Sequence, residues 1–321
     1  MTRTERTIAL ARFDSIQAAV GSGSIAQFDD ITLSEAIVLG LWNVGVRRFV
    51  AIFGHGNTEI GEVLRVYEEA GLVQTFNVRH ETTASHAATA LRWITGEHAA
   101  VVTSIGPGAL HALAGSLVPA SNGIGVWYVL GDETTQDEGF NMQQIPRDEQ
   151  NGFLKLYSHM GGAYSLQDPL SVFSAIRRGS VVTQRRAGAG PFFLLAPMNT
   201  QPAVIPRCNL QEFPQRYRDP TTVCADESVF TAATEAARDA QRITIKYGRG
   251  ALGCGDEIGE LADLLDAAIV GGPSATGVVP ASNPRHMTVG GSKGSISGNY
   301  AMNEADLVIV VGARAVCQWD S

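Results

Sequence analysis

The stretch "VQTFNVRHETTASHAATALRWITG", residues 73–96, decides how the rest of the chain is read. Its first six residues read as a short strand, and from Glu81 onward the small and apolar side chains read as a helix. A strand therefore hands over directly to a helix, and a carboxylate stands at the junction.

The same handover recurs on both sides. Upstream, "ITLSEAIVLGLWNVG" (31–45) reads as helix, "RRFVAIFG" (47–54) as a buried strand and "TEIGEVLRVYEEAG" (58–71) as helix. Downstream come strand "AAVVTSIG" (99–106), helix "GALHALAGSLVPASNG" (108–123) and strand "GVWYVLG" (125–131). Such alternation predicts an α/β domain built on a parallel sheet. Beyond a less regular region, "GPFFLLAP" (190–197) supplies a further strand, and the Pro-rich "NTQPAVIPRCNLQEFPQRYRDP" (199–220) reads as a linker. A second unit follows, with strands "RITIKYG", "AAIVGG" and "DLVIVVG" between helices 226–240, "DEIGELADLLDA" and "GNYAMNEA". The expected division is an N-terminal extension at 1–30, a first domain at 31–200, a linker at 201–225 and an incomplete three-stranded unit at 226–321.

Composition limits the function. With 321 residues, a net charge of −8 and 17% charged side chains, the chain suits a soluble two-domain protein. No basic stripe is present for nucleic acid or a membrane surface. The four cysteines, Cys208, Cys224, Cys254 and Cys317, form no C-x-x-C pair, and "MTRTERTIALARF" lacks the apolar core of a signal peptide, so a cytoplasmic location is expected.

Three motifs are discarded. "HETTASH" suggests a zinc-binding H-E-x-x-H, but His80 and His86 are six apart and position 84 is alanine, so no metal site is expected here. "GGSKG" (290–294) matches G-x-S-x-G without a strand leading into it. "GRGALG" (248–253) stands between strand and helix as a dinucleotide fingerprint would, yet no acidic residue follows about 20 positions on to hold a ribose. A Rossmann-like fold follows from it, and an NAD-dependent oxidoreductase remains only an alternative.

Glu81 is the fourth candidate. The next handover, "TSIGPGALHAL" (103–113), places glycines where a ligand can approach the backbone at the ends of parallel strands. On its residues alone, Glu81 is also compatible with a solvated first-turn acid favoured by the helix dipole.

Together, "FGHGN" (53–57), "RHETTASHAATA" and "TSIGPGALHALAGSLVPASNGIGVWYVLGD" resemble the pyrimidine-binding (PYR) domain of thiamine-diphosphate-dependent enzymes of the acetolactate synthase type. "YGRGALGCGDEIGELADLLDAAIV" and "GGSKGSISGNYAMNEADLVIVVGAR" resemble part of that family's central domain. "FGHGN" and "SIGPGA" look most like trihydroxycyclohexanedione hydrolase and cyclohexane-1,2-dione hydrolase.

The resemblance implies that Glu81 hydrogen-bonds N1′ of the cofactor's aminopyrimidine, with small neighbours such as Ala87 and Ala88 drying the site and admitting a flat ring. It implies an acid/base role for His55, and a loop over the pyrimidine shaped by Gly106, Pro107 and Gly108, with Gly56 also at the cofactor. His80 and either Gln143 or Gln144 would face the substrate. His111 and His159 read as surface or core residues.

One family feature is missing. The diphosphate-binding (PP) domain holds Mg²⁺ through a G-D-G motif and a later Asn, and the 321 residues contain no G-D-G. "GDEIGE", with Asp256 and Asn283, departs from that pattern. The expectation is one subunit of a split enzyme, in an α2β2 heterotetramer whose second polypeptide completes the central domain and binds the diphosphate and Mg²⁺. Its substrate would be a small carbonyl compound, with C–C cleavage and acetolactate-synthase-like carboligation both open. A non-catalytic regulatory subunit is the remaining alternative.

Overall fold

The computed structural model describes residues 1–136, 144, 151–186, 188–219 and 225–314. It divides into two units, Met1–Asp219 and Pro220–Ser321.

In the first unit, helices α1 (Arg3–Leu10) and α2 (Ile16–Gly21) precede strand β1 (Phe28–Thr32). The α/β alternation then runs α3 (Leu33–Asn43), β2 (Val46–Ile52), α4 (Thr58–Glu69), β3 (Gln74–Asn77), α5 (Glu81–Ile94), β4 (His98–Thr103), α6 (Pro107–Asn122) and β5 (Val126–Asp132). Next come α7 (Gly152–Ser158), β6 (Gly162–Ser165), α8 (Val172–Gln184), β7 (Pro191–Pro197) and β8 (Val204–Asn209). Six strands form one sheet in the order β3-β2-β4-β5-β7-β6, every pairing parallel.

The sheet is covered on both faces, which is why β4, β5 and β7 carry near-continuous apolar runs. Successive side chains of a strand point to opposite faces. In β4, Ala100 and Val102 join the core containing Leu39 of α3, Leu64 of α4 and Ile176 of α8. Ala99 and Val101 join the other core, with Ala88 of α5, Ala112 of α6 and Tyr157 of α7. Because all six strands are parallel, the loops leaving their C-terminal ends gather along one edge.

Residues 1–30, read as an extension, and residues 201–219 of the segment read as a linker are part of this unit. Leu10, Ile16 and Ala19 are fully buried in the first core, and β1 pairs antiparallel with β8, placing Phe28 opposite Asn209 and Ile31 opposite Ile205. Pro206 inside β8 argues against a central strand. A two-stranded ribbon accommodates it because one edge stays unpaired.

The second unit carries α9 (Glu227–Asp239), β9 (Ile243–Tyr247), α10 (Gly255–Leu265), β10 (Ala268–Gly271), β11 (His286–Val289), α11 (Ile296–Glu304) and β12 (Leu307–Val311). Among the described residues its parallel sheet has four strands, ordered β11-β10-β9-β12. The expectation of three missed β11, whose four residues are too few to show an alternation. In "GRGALG", Gly248 and Gly250 lie against the backbone of Gly312 and Ala313, and the Gly250 N–H donates to Gly312 O at 2.9 Å. That close approach accounts for these glycines without a dinucleotide.

Candidate active site

The loops at the C-terminal ends of β2, β3 and β4 meet, and Gln144 lies against the last of them. After β2, "FGHGN" folds into a 3₁₀ turn, His55–Asn57. Asn57 is fully buried; its Oδ1 accepts from the Gly54 N–H at 2.8 Å, and its Nδ2 donates to Ile52 O at 3.3 Å. The Gly56 N–H donates to Ser104 Oγ at 3.2 Å, joining this turn to the loop after β4. Gly56 O accepts from Gln201 Nε2 at 2.7 Å, and the same amide reaches Ala196 O at 2.8 Å. A Cβ at Gly56 would come within 2.7 Å of Ile105 Cγ2, so the two loops meet only because that side chain is absent. His55 itself is exposed.

After β4 the chain turns sharply into α6. Gly106 caps the helix at φ +60° and ψ −118°, a conformation that disfavours side chains, and Pro107 opens the first turn with the fixed φ that position prefers. The Gln144 side chain fills the space over Gly106, where a Cβ would meet Gln144 Cβ at 2.6 Å. Of the two registers expected from sequence, Gln144 is thus brought to this loop. Gln143 lies outside the described residues.

After β3, His80 caps α5 through its ring: the Thr82 N–H donates to His80 Nδ1 at 3.2 Å. Glu81 is the first residue of the helix, and its side chain is 15% exposed. Oε1 faces Gly108, where a Cβ would stand 3.1 Å away, and among the described residues no side chain donates to it. Oε2 lies 3.2 Å from His111 Nδ1. Behind the carboxyl, Ala84, Ser85 and Ala88 are buried and Ala87 is half-buried. α5 and α6 pack closely there, because Ser85 Oγ donates to Ala112 O at 2.8 Å and Gly115 has no side chain to collide with Ser85.

His111, read from sequence as a surface or core residue, thus touches the central carboxyl. Its partner lies on a different helix, so no local pattern marks it; its place one turn into α6 after "GPG" was the available signal. Asn57, Ser104 and Gln201 were also not singled out. The first two sit inside the quoted motifs, while Gln201 lay in the segment read as a linker.

The residues fit a flat heteroaromatic ring. Gly108 leaves open backbone beside a largely shielded carboxyl whose Oε1 accepts from no side chain among the described residues, while the space over Gly106 is taken by Gln144. A metal fits less well. The donor atoms of His80, Glu81 and His111 lie within 4.8 Å of one another, but the helix cap occupies His80 Nδ1 and leaves that ring only Nε2, and the imidazole of His111 already meets Glu81 Oε2.

The carboxyl stands at the C-terminal ends of the parallel strands of an α/β domain, the edge of such sheets where ligands bind. Two family models match the chain: "Thiamine pyrophosphate enzyme, N-terminal TPP binding domain" over residues 31–175 and "Thiamine pyrophosphate enzyme, central domain" over 230–319. The chain belongs to the thiamine pyrophosphate (thiamine diphosphate) enzyme family. It is 25% identical over 289 residues to acetolactate synthase isozyme 3 large subunit of Escherichia coli (strain K12), covering 88% of this chain and 48% of that protein. To 2-hydroxyacyl-CoA lyase 1 of Dictyostelium discoideum it is 26% identical, over 87% of this chain and 46% of the other. To 3D-(3,5/4)-trihydroxycyclohexane-1,2-dione hydrolase of Bacillus subtilis (strain 168) it is 25% identical, over 84% and 43%. The chain spans about half the length of these relatives. Among the described residues no helix is long and apolar enough to cross a membrane.

Proposed function

We propose that this chain supplies the pyrimidine-activating half of a thiamine diphosphate site, in an enzyme that makes or breaks a C–C bond beside the carbonyl of a 2-keto acid or 1,2-dione. The observation that carries this reading is Glu81: a shielded carboxyl whose Oε1 faces the open backbone of Gly108. Thiamine diphosphate, when bound, contributes a thiazolium carbon able to add to a carbonyl. Glu81 holds or releases a proton at the ring nitrogen N1′. Gly106, Pro107 and Gly108 shape the wall beside the ring, and Gly56 locks the neighbouring turn. His55, His80 and Gln144 border the substrate side, where His55 serves as acid or base. The relatives' names include a synthase, a lyase and a hydrolase, which supports the bond class and leaves its direction open.

The diphosphate end and its Mg²⁺ are held, in this reading, by a second polypeptide that joins the central unit in an α2β2 assembly in the cytoplasm. β12 supports this: among the described residues it is an edge strand, with Val308 and Val310 exposed, and an unpaired apolar edge invites pairing. The test is calorimetric titration of thiamine diphosphate with Mg²⁺ into residues 1–321, alone and after co-expression with a candidate second chain. Tight binding and turnover are expected only with both chains, and Glu81→Gln in the pair is expected to abolish turnover. Tight binding and turnover by 1–321 alone would refute the split assembly, and turnover by Glu81→Gln within a few-fold of wild type would refute the role of Glu81.

A further inference from the structure

His111 is held on three sides. Its Nδ1 lies 3.2 Å from Glu81 Oε2, and its ring stacks on that of His80 with centroids 4.8 Å apart and planes 25° from parallel. Its backbone oxygen accepts from Thr82 Oγ1 at 3.0 Å. His80 cannot take up a proton at Nδ1 without losing the cap, because the Thr82 N–H already donates to that nitrogen, and a neutral His80 carries its proton on Nε2. His111 is therefore the ring placed to exchange a proton with Glu81. It also reaches water: its side chain is 53% exposed against 15% for Glu81.

We infer that His111 is a positioning residue that connects the Glu81 carboxyl to solvent and carries protons between them; this rests on the reading of Glu81 as the group facing the cofactor ring. Consider Glu81 with a proton on Oε2 and a neutral His111 with its proton on Nε2. The O–H bond breaks as an N–H bond forms at Nδ1, leaving a carboxylate and an imidazolium. The Nε2 proton then passes to a water molecule. The ring ends neutral, with Nδ1–H donating to the carboxylate, and one proton has moved from Glu81 to solvent. The reverse sequence reloads the carboxyl. The His80 stack keeps the ring in the plane where Nδ1 meets Oε2, and the Thr82 hydroxyl fixes the backbone beneath it.

Two measurements test this. The first uses the full chain without cofactor: long-range ¹H–¹⁵N spectra of the histidine rings at about pH 9, where an ordinary imidazole is neutral. Wild-type His111 is expected to carry its proton on Nδ1, held there by the carboxylate, and Glu81→Ala is expected to shift it to Nε2. An unchanged tautomer overturns the inference. The second uses the cofactor-loaded assembly and follows deuterium exchange at the thiazolium C2–H by NMR. His111→Gln keeps a hydrogen-bonding group but cannot pass a proton, so exchange should slow by roughly tenfold or more while cofactor affinity holds. Exchange at the wild-type rate overturns the relay, and so does a loss confined to affinity. If the tautomer does not respond while Glu81→Gln still abolishes turnover, the relay fails and the cofactor assignment stands.

Discussion

Arg6 and Glu35 form a buried, two-pronged ion pair: Nε donates to Oε1 at 2.8 Å and Nη2 to Oε2 at 3.1 Å, with the two residues 1% and 2% exposed. Asp29 pairs with the same guanidinium, and Arg3 reaches Glu35 from the rim at 3.3 Å. Burial disfavours the Arg6 charge, but its hydrogen bonds to Glu35 and the nearby carboxylates outweigh that and raise its pKa above the ordinary arginine value. The pair ties α1 to the first turn of α3, so residues 1–30 are structural. Removing one partner strands a buried charge, which costs about 3–5 kcal/mol. Arg6→Ala is therefore expected to lower the melting temperature by roughly 10 °C, taking about 2–4 °C per kcal/mol for a unit of this size. Differential scanning calorimetry checks this, and a shift within 2 °C would mean that the pair contributes little.

What could be read in advance follows from where the information lies. β4, β5 and β7 were legible because burial on both faces demands continuous apolar runs, and the helices between them carry caps and spacing in their own residues. β6, β8 and β11 were not, because strands of four to six residues with glycine, proline or polar positions carry no period. The site divides the same way. Glu81 and the Gly-Pro-Gly turn announce themselves at strand-to-helix junctions. The Gln201 bond to Gly56 joins residues 145 apart in sequence, and the His111 contact joins two helices, so each exists only after folding.

His98 makes the first unit sensitive to acid. It opens β4, is 3% exposed and, among the described residues, has no partner for Nδ1. Burial first, then the positive charges of Arg92 and Arg216, lower its pKa from 6.5 to about 3. Between those values the unfolded chain binds a proton at this position and the folded chain does not, so folding loses stability as pH falls through that window. Above pH 6.5 both states are neutral here and the effect vanishes. His98→Gln, neutral throughout, should flatten the decline in urea-unfolding midpoint between about pH 6.5 and pH 4.5. A variant whose decline matches wild type would assign the acid sensitivity to other groups.

Gly106 and Gly108 are two positions apart, and substitution separates their roles. At Gly106 the backbone has φ +60°, and a Cβ would stand 2.6 Å from Gln144 Cβ. Gly106→Ala is thus expected to cost about 1–3 kcal/mol of stability and to weaken cofactor binding as the loop shifts. Gly108 lies within α6, outside the left-handed region, and the atoms nearest its added methyl would be those of the Glu81 side chain, Oε1 first at 3.1 Å. Gly108→Ala should leave the unfolding midpoint near wild type, because alanine suits a helix better than glycine. It should nevertheless weaken thiamine diphosphate binding by roughly tenfold or more, about 1.4 kcal/mol, because the methyl occupies the space that Oε1 faces. Calorimetric titration of the assembled protein, paired with urea unfolding of each variant, separates the two effects. Wild-type affinity in Gly108→Ala would show that the ring does not lie against Oε1.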